Sequence, residues 1–233
     1  MLLTLENAQV LHVYKNNVYL RDASGSIVLA DAHLPVVQAG DMISGAVYGK
    51  KSVVNGVPQL ACVDNIDNSG SVRIVSTGNE FEPRKMKLSE LTSSDYSDYV
   101  TFLGVELQRL TLTNAYNGQM GYFIIDGDTY LHVDNTFKLP SADVSIPTAY
   151  SGKKFDVTGI LTTILSRGKV VNELGLLHSV VESKAEEINA IRSVSSQQKA
   201  AYYSLKGMPL NNISHPGIYL VRQGDTIKKV VVK

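Results

Sequence analysis

The chain repeats itself, and that limits what it can fold into. Val18-Tyr19-Leu20-Arg21-Asp22 returns as Tyr122-Phe123-Ile124-Ile125-Asp126, an offset of 104 (18 to 122). Ile43-Ser44-Gly45 returns as Val157-Thr158-Gly159, and Val57 and Leu60 return as Val171 and Leu174, an offset of 114 (43 to 157). The difference of 10 (114 − 104) falls to the polar, Pro-containing stretch Ser141 to Tyr150, where added residues lengthen a loop and leave strands alone. One small module used twice follows. At 233 residues there is room for both copies, each with its own core, and for an appendage.

The pattern inside each copy is that of strands. Ala8, Val10 and His12 alternate with Gln9, Leu11 and Val13; Asn16-Asn17 turns the chain, and Val18 to Asp22 returns as the second arm of a hairpin. Ser24-Gly25 leads into Ile27-Val28-Leu29, Gly40-Asp41 leads into Met42 to Val47, and Asn55-Gly56 joins Ser52-Val53-Val54 to Val57-Pro58-Gln59-Leu60. Pro58 cannot donate to a ladder, so its strand is expected at an edge or with that position turned outward. The second copy runs from Val100 through turns at Asn117-Gly118, Gly127-Asp128 and Arg167-Gly168. About five short strands with Gly or Asn turns every eight to twelve residues predict a small closed barrel. Gly45 and Gly159, in mid-strand, are the expected corners. Among five-stranded barrels the OB-fold fits best, and a sandwich is the alternative.

The expected fold is therefore all-β: two tandem five-stranded OB-like barrels plus a small C-terminal β-sandwich or hairpin unit. Residues 1–70 form the first barrel, 71–99 a linker with a short helix capped near Ser93-Ser94-Asp95, 100–181 the second barrel, 182–200 a linker, and 201–233 the last unit. The segment around Leu88 and Leu91 is expected to plug one end of the second barrel. In the last unit, Gly217 to Arg222 pairs through Gln223-Gly224-Asp225 with Ile227 to Lys233, and the charges flanking its apolar strand protect an edge.

Charge narrows the function. Lys plus Arg and Asp plus Glu each number 22, so no net field gathers phosphates or anionic lipid. No apolar run approaches the roughly 18 residues of a membrane span. The opening residues alternate like a strand and lack the basic start and apolar core of a signal peptide, so the chain is expected to be the tail end of a longer, exported protein. Cys62, the single cysteine, reads as a small buried hydrophobe.

No constellation calls for catalysis or a cofactor. The five histidines, at 12, 33, 132, 178 and 215, lack the close spacing of a metal pair. Asp126-Gly127-Asp128 and the Asp64 to Gly70 cluster lack the ligand spacing of a calcium loop and read as turns. No Gly-rich phosphate loop precedes a helix, and no nucleophile elbow is present. What remains is the outer face. OB-folds take oligonucleotides or oligosaccharides across their second and third strands, using stacked aromatics and hydrogen-bonding side chains. With Val18 and Leu20 inward, Tyr19 and Arg21 point outward beside Tyr14 and Lys15, and these four are the ligand-binding candidates. The plainer reading of Tyr19 and Arg21 is an amphipathic cross-strand pair without a ligand. Phe123 and Ile125, in the same places of the second copy, read as a surface buried against something.

The stretch Val18 to Gly25, with Gly40 to Gly45 and Asn55 to Leu60, resembles the tandem OB-like domains of exported and surface proteins of Bacteroidetes, and the lead-in Met86 to Val105 is similar to that of such a domain. The likeness covers residues 1 to about 180 and is weaker in the second copy, where Ile125 stands in place of Arg21. Tyr203-Ser204-Leu205-Lys206-Gly207, then Gly217-Ile218-Tyr219-Leu220-Val221 and a Lys-ending Val strand, resembles the sorting domain that hands cargo to the type IX secretion system. The resemblance implies a secreted or cell-surface location, secretion machinery as a partner of the C-terminal unit, and a non-catalytic binding or spacer role with a glycan or protein ligand. The alternative is a pair of nucleic-acid-binding accessory domains of an exported nuclease. It carries no catalytic residue over.

Overall fold

The computed structural model describes residues 1–31, 33–61, 63, 66–111, 120–166 and 168–184, and beyond them the backbone of four strands within 201–232. The chain is all-β. It divides into the units Met1–Ser183 and Lys184–Lys233.

In the first unit β1 (Leu2–Tyr14), β2 (Asn17–Asp22) and β3 (Gly25–Ala30) form a meander, and β4 (Met42–Tyr48) and β5 (Lys50–Val54) are followed by β6 (Val57–Ala61). β6 runs parallel to β3, β5 pairs with β6, and β4 pairs with β1. Only Gly49 separates β4 from β5. The two are one bent strand, and through it five strands close into a barrel. A Cβ on Gly49 would stand 2.6 Å from the Leu60 side chain, so the bend is made where backbone presses on that leucine. The Asn68 amide completes the bend: Tyr48 N–H donates to its Oδ1 at 2.8 Å, and its Nδ2 donates back to the Tyr48 carbonyl at 3.2 Å.

Gly45 is not the corner. Its φ is +138°, and a Cβ there would lie 2.2 Å from the Ser71 carbonyl oxygen. That close approach lets β7 (Val72–Ser76) lie antiparallel on β4, where the sequence shows only a connector.

The second barrel consists of β9 (Tyr99–Thr111), β10 (Met120–Asp126), β11 (Thr129–Asp134), β12 (Lys154–Ser166) and β13 (Lys169–Leu176). β12 is unbroken, pairing with β9 and with β13, while β13 runs parallel to β11. β8 (Arg84–Met86) adds parallel to β9, and β14 (Val181–Glu182) adds to β12. The expected helix is two separate 3-10 turns, Leu88–Glu90 and Ser93–Asp95. Asp95 accepts from the Thr92 N–H at 2.7 Å, so the capping residue is Thr92. Leu88 is fully buried with Phe102, Ile124 and Leu131, which makes it the plug of the second barrel.

The repeat is written into the pairing register. Val18 lies opposite Leu29 and Leu29 beside Leu60; Tyr122 lies opposite Val133 and Val133 beside Leu174. Leu20 faces Val10 as Ile124 faces Leu107, and all four are buried. Each first strand carries the same bulge: Glu6-Asn7 against Ser44, and Leu103-Gly104 against Asp156. In both, the residue at positive φ donates its N–H to the facing side chain, Asn7 to Ser44 Oγ at 2.8 Å and Gly104 to Asp156 Oδ1 at 2.9 Å. Gly45 faces Leu5, and Val157 faces Phe102 at the matching step. Gly45 therefore corresponds to Val157, two residues before Gly159, although both glycines stand on the fourth strand. The longer connection, 135–153 against 31–41, holds the inserted stretch Ser141 to Tyr150.

The second unit is a four-stranded antiparallel sheet in the order β16-β15-β17-β18, built from β15 (Ala201–Tyr203), β16 (Pro209–Leu210), β17 (Gly217–Gln223) and β18 (Thr226–Val232). Cys62, the Asn117-Gly118 turn and the stretch 185–200 lie outside the described residues.

Candidate functional site

The alternation of β2 is as expected: Val18 and Leu20 sit in the core of the first barrel, and Tyr19 points out of it. The expected exposure of Tyr19 is not found. It is 7% exposed, because the second barrel covers it. Period-two patterning decides which face a side chain joins, and it carries no information about what stands over that face.

The contact has an apolar middle. Tyr19, Leu11 and Val28 of the first barrel cluster with Phe137, Tyr99 and Ile160 of the second. Phe137, in the loop between β11 and β12, is the centre: the rings of His12, Tyr14 and Tyr19 stand at 4.5, 5.5 and 5.6 Å from it, all edge to face. At one side lies a charge cluster. The buried Asp98 carboxylate accepts from Arg21 Nη1 at 3.3 Å and Ser26 Oγ at 2.9 Å on one oxygen, and from Arg84 Nε at 2.9 Å on the other. Arg21 also donates Nη2 to the Glu82 carbonyl at 2.9 Å. At another side, Thr163 donates its hydroxyl to the carbonyl of Asn55, at the tip of the β5–β6 hairpin, at 2.9 Å.

Burial sets the chemistry of these groups. It pushes the Tyr19 phenol up to about 12, with nearby Tyr14 and Glu173 adding to the effect. It pulls the His12 imidazole down to about 4, so the ring that packs on Phe137 is neutral. Tyr99 is also raised by burial, and its hydroxyl is 2.8 Å from His178 Nε2. On the outer face of the second barrel, between the core residues Leu131 and Val133, His132 Nδ1 lies 2.7 Å from the Glu173 carboxylate, which also accepts from Thr136.

The four candidate residues are thus divided. Tyr19 is under the second barrel, and Arg21, with its side chain 24% exposed, is held by Asp98. Tyr14 is half-buried against Phe137; Lys15 is exposed, its Nζ 5.3 Å from the Tyr14 ring, on the rim of a hollow of about 490 Å3 shared with His33 and Val36. What lies over Tyr19 is the apolar cluster with Phe137, Tyr99 and Ile160. Of the calcium readings, Asp67 accepts the Ser69 N–H at 2.8 Å in a turn, and Asp126 closes β10 before the Gly127 turn. Among the described residues no group of three or more His, Cys, Asp or Glu side chains is placed to hold a metal ion, and no helix is long and apolar enough to cross a membrane.

Phe137, Asp98 and Arg84 were not legible as site residues. Phe137 carried one signal, a phenylalanine in a connection between strands; Asp98 and Arg84 carried none, because their meaning lies in Arg21, some 77 positions before Asp98. Compared with family models and with curated proteins, the chain matches none.

Proposed function

We propose that the unit Met1–Ser183 is a non-catalytic, rigid two-barrel module of a secreted or cell-surface protein, and that it acts as a spacer that also presents protein-binding edges. The observation that carries this reading is the burial of Tyr19 against Phe137. An OB-type barrel takes ligands on the face of its second and third strands; here that face is spent on joining two barrels. The OB-like reading is supported by the five-strand ring in which the third and fifth strands run parallel and the fourth closes on the first. Apolar rings at the centre and a hydrogen-bonded charge cluster at the rim have the anatomy of a permanent contact.

The C-terminal unit is the sorting domain in this reading, recognised by type IX secretion machinery. Two short hairpins joined in one sheet suit a segment that is recognised and then removed.

The rigid-spacer claim is tested by 15N relaxation of the full chain. Amides of residues 4–63 and 100–178 are expected to fit one rotational diffusion tensor; two independent tensors would reject it. Removal of residues 201–233 in the native cell is expected to abolish surface delivery, and unchanged delivery would reject the sorting role alone.

A further inference from the structure

The two copies differ at one edge. In the second barrel, β8 lies along the outer edge of β9 in line with β10, with Arg84 beside Val100 and Met86 beside Phe102. Two residues later Leu88 drops into the end of the barrel. The equivalence of Val10 with Leu107 makes Leu3 the counterpart of Val100 and Leu5 the counterpart of Phe102. β1 pairs with β4 through Leu2 to Leu5, but with β2 only from Gln9 onward. Among the described residues no strand lies on the other edge of Leu2 to Leu5.

A cavity of about 180 Å3 opens there, lined by Leu3, Leu5, Leu20 and Ile27 with Asp22 at its rim. Each of these apolar positions has its covered counterpart in the second copy. Val100 and Leu131 are 0% and 1% exposed, whereas the matching Leu3 and Ile27 are half-buried. The same barrel is finished in one copy and unfinished in the other, and the difference is a strand and a plug.

We infer that this edge of the first barrel is a strand-addition site for an extended segment of another polypeptide with the chemistry of residues 84–88: apolar side chains at alternate positions, with cations between them. The segment adds parallel to Leu2–Leu5, satisfies that backbone edge, and places an apolar side chain against Leu20 and Ile27. Lys85 and Lys87 alternate with Met86 and Leu88 in the segment that fills the second copy, and the Asp22 carboxylate at the first copy's rim suits the same alternation. The site is remote in function from the Tyr19 face and stands whether or not the chain is exported.

The test uses the full chain with methyl labels and a synthetic peptide of residues 83–91 as the probe. Saturable shifts are expected at the Leu3, Leu5, Leu20 and Ile27 methyls. Ile27→Lys, at the half-buried rim, is expected to weaken binding by about tenfold or more. A peptide carrying Leu88→Asp should lose binding to the same degree, which keeps the outcome readable if the protein variant fails to fold. No saturation, shifts confined to the Ile124 and Leu131 methyls of the second barrel, or equal binding by the Leu88→Asp peptide would overturn the inference.

Discussion

Tyr19 and Phe137 meet edge to face, their ring centroids 5.6 Å apart at 80°, one on the outer surface of the first barrel and the other in a loop of the second. Without Phe137, the rings of His12, Tyr14 and Tyr19 lose their common partner. Phe137→Ala is therefore expected to cost about 3 kcal/mol and to separate the unfolding of the two barrels in urea. A single transition displaced by less than about 0.5 kcal/mol would contradict the role given to this ring.

Asp98 and Arg84 differ in what their loss exposes. Asp98 is buried and gathers Arg21, Ser26 and Arg84; Asp98→Asn leaves Arg21 without its anion, while Arg84 keeps Asp95, and should cost about 3 kcal/mol. The Arg84 side chain is 44% exposed, and Arg84→Met should cost less than about 1 kcal/mol. Equal effects in thermal melts would show that the cluster is not centred on Asp98.

Two groups make the stability depend on pH in opposite directions. His12 is held at about 4, below its ordinary 6.5, so as pH falls the unfolded chain takes the proton first; the stability is whole above pH 6.5 and is lost between 6.5 and 4. Tyr19 is held at about 12, above its ordinary 10, so as pH rises the unfolded chain loses the proton first, and stability falls from pH 10 towards 12. His12→Phe should flatten the acid limb and Tyr19→Phe the alkaline one. Limbs unchanged in both variants would mean that neither ring is buried in solution.

The strands and the repeat were legible because alternation and Asn-Gly turns are local signals, and residues such as Val18, Leu29 and Leu60 need only one neighbour each to define a rung. β7 and β14 were not, since β7 buries only Val72 and β14 is two residues long, so neither shows an alternating face. A glycine in mid-strand marks the corner of the second copy, where β12 passes from β9 to β13 at Gly159, but in the first copy the corner is Gly49, where Leu60 presses on the backbone, and not Gly45. The binding face was lost for a different cause: outward parity at Tyr19 is local, and Phe137 reaches it from a loop more than a hundred positions away.

Gly45 and Gly159 should both resist substitution, for separate reasons. A Cβ would meet the Ser71 carbonyl oxygen at 2.2 Å in one and the Gly175 carbonyl oxygen at 2.3 Å in the other. Gly45→Ala and Gly159→Ala are each expected to cost at least about 2 kcal/mol, while Gly70→Ala, with open space around it, should cost less than about 0.5 kcal/mol. Comparable chemical denaturation midpoints for all three would contradict the close approaches.

The second barrel covers the first at Tyr19, and a nuclear Overhauser spectrum of the full chain with labelled aromatic rings addresses that contact directly. Cross-peaks between the Tyr19 and Phe137 rings, and between the His12 and Phe137 rings, are the predicted result. A Tyr19 ring with cross-peaks only to residues of its own barrel, such as Leu11 and Val28, would contradict it.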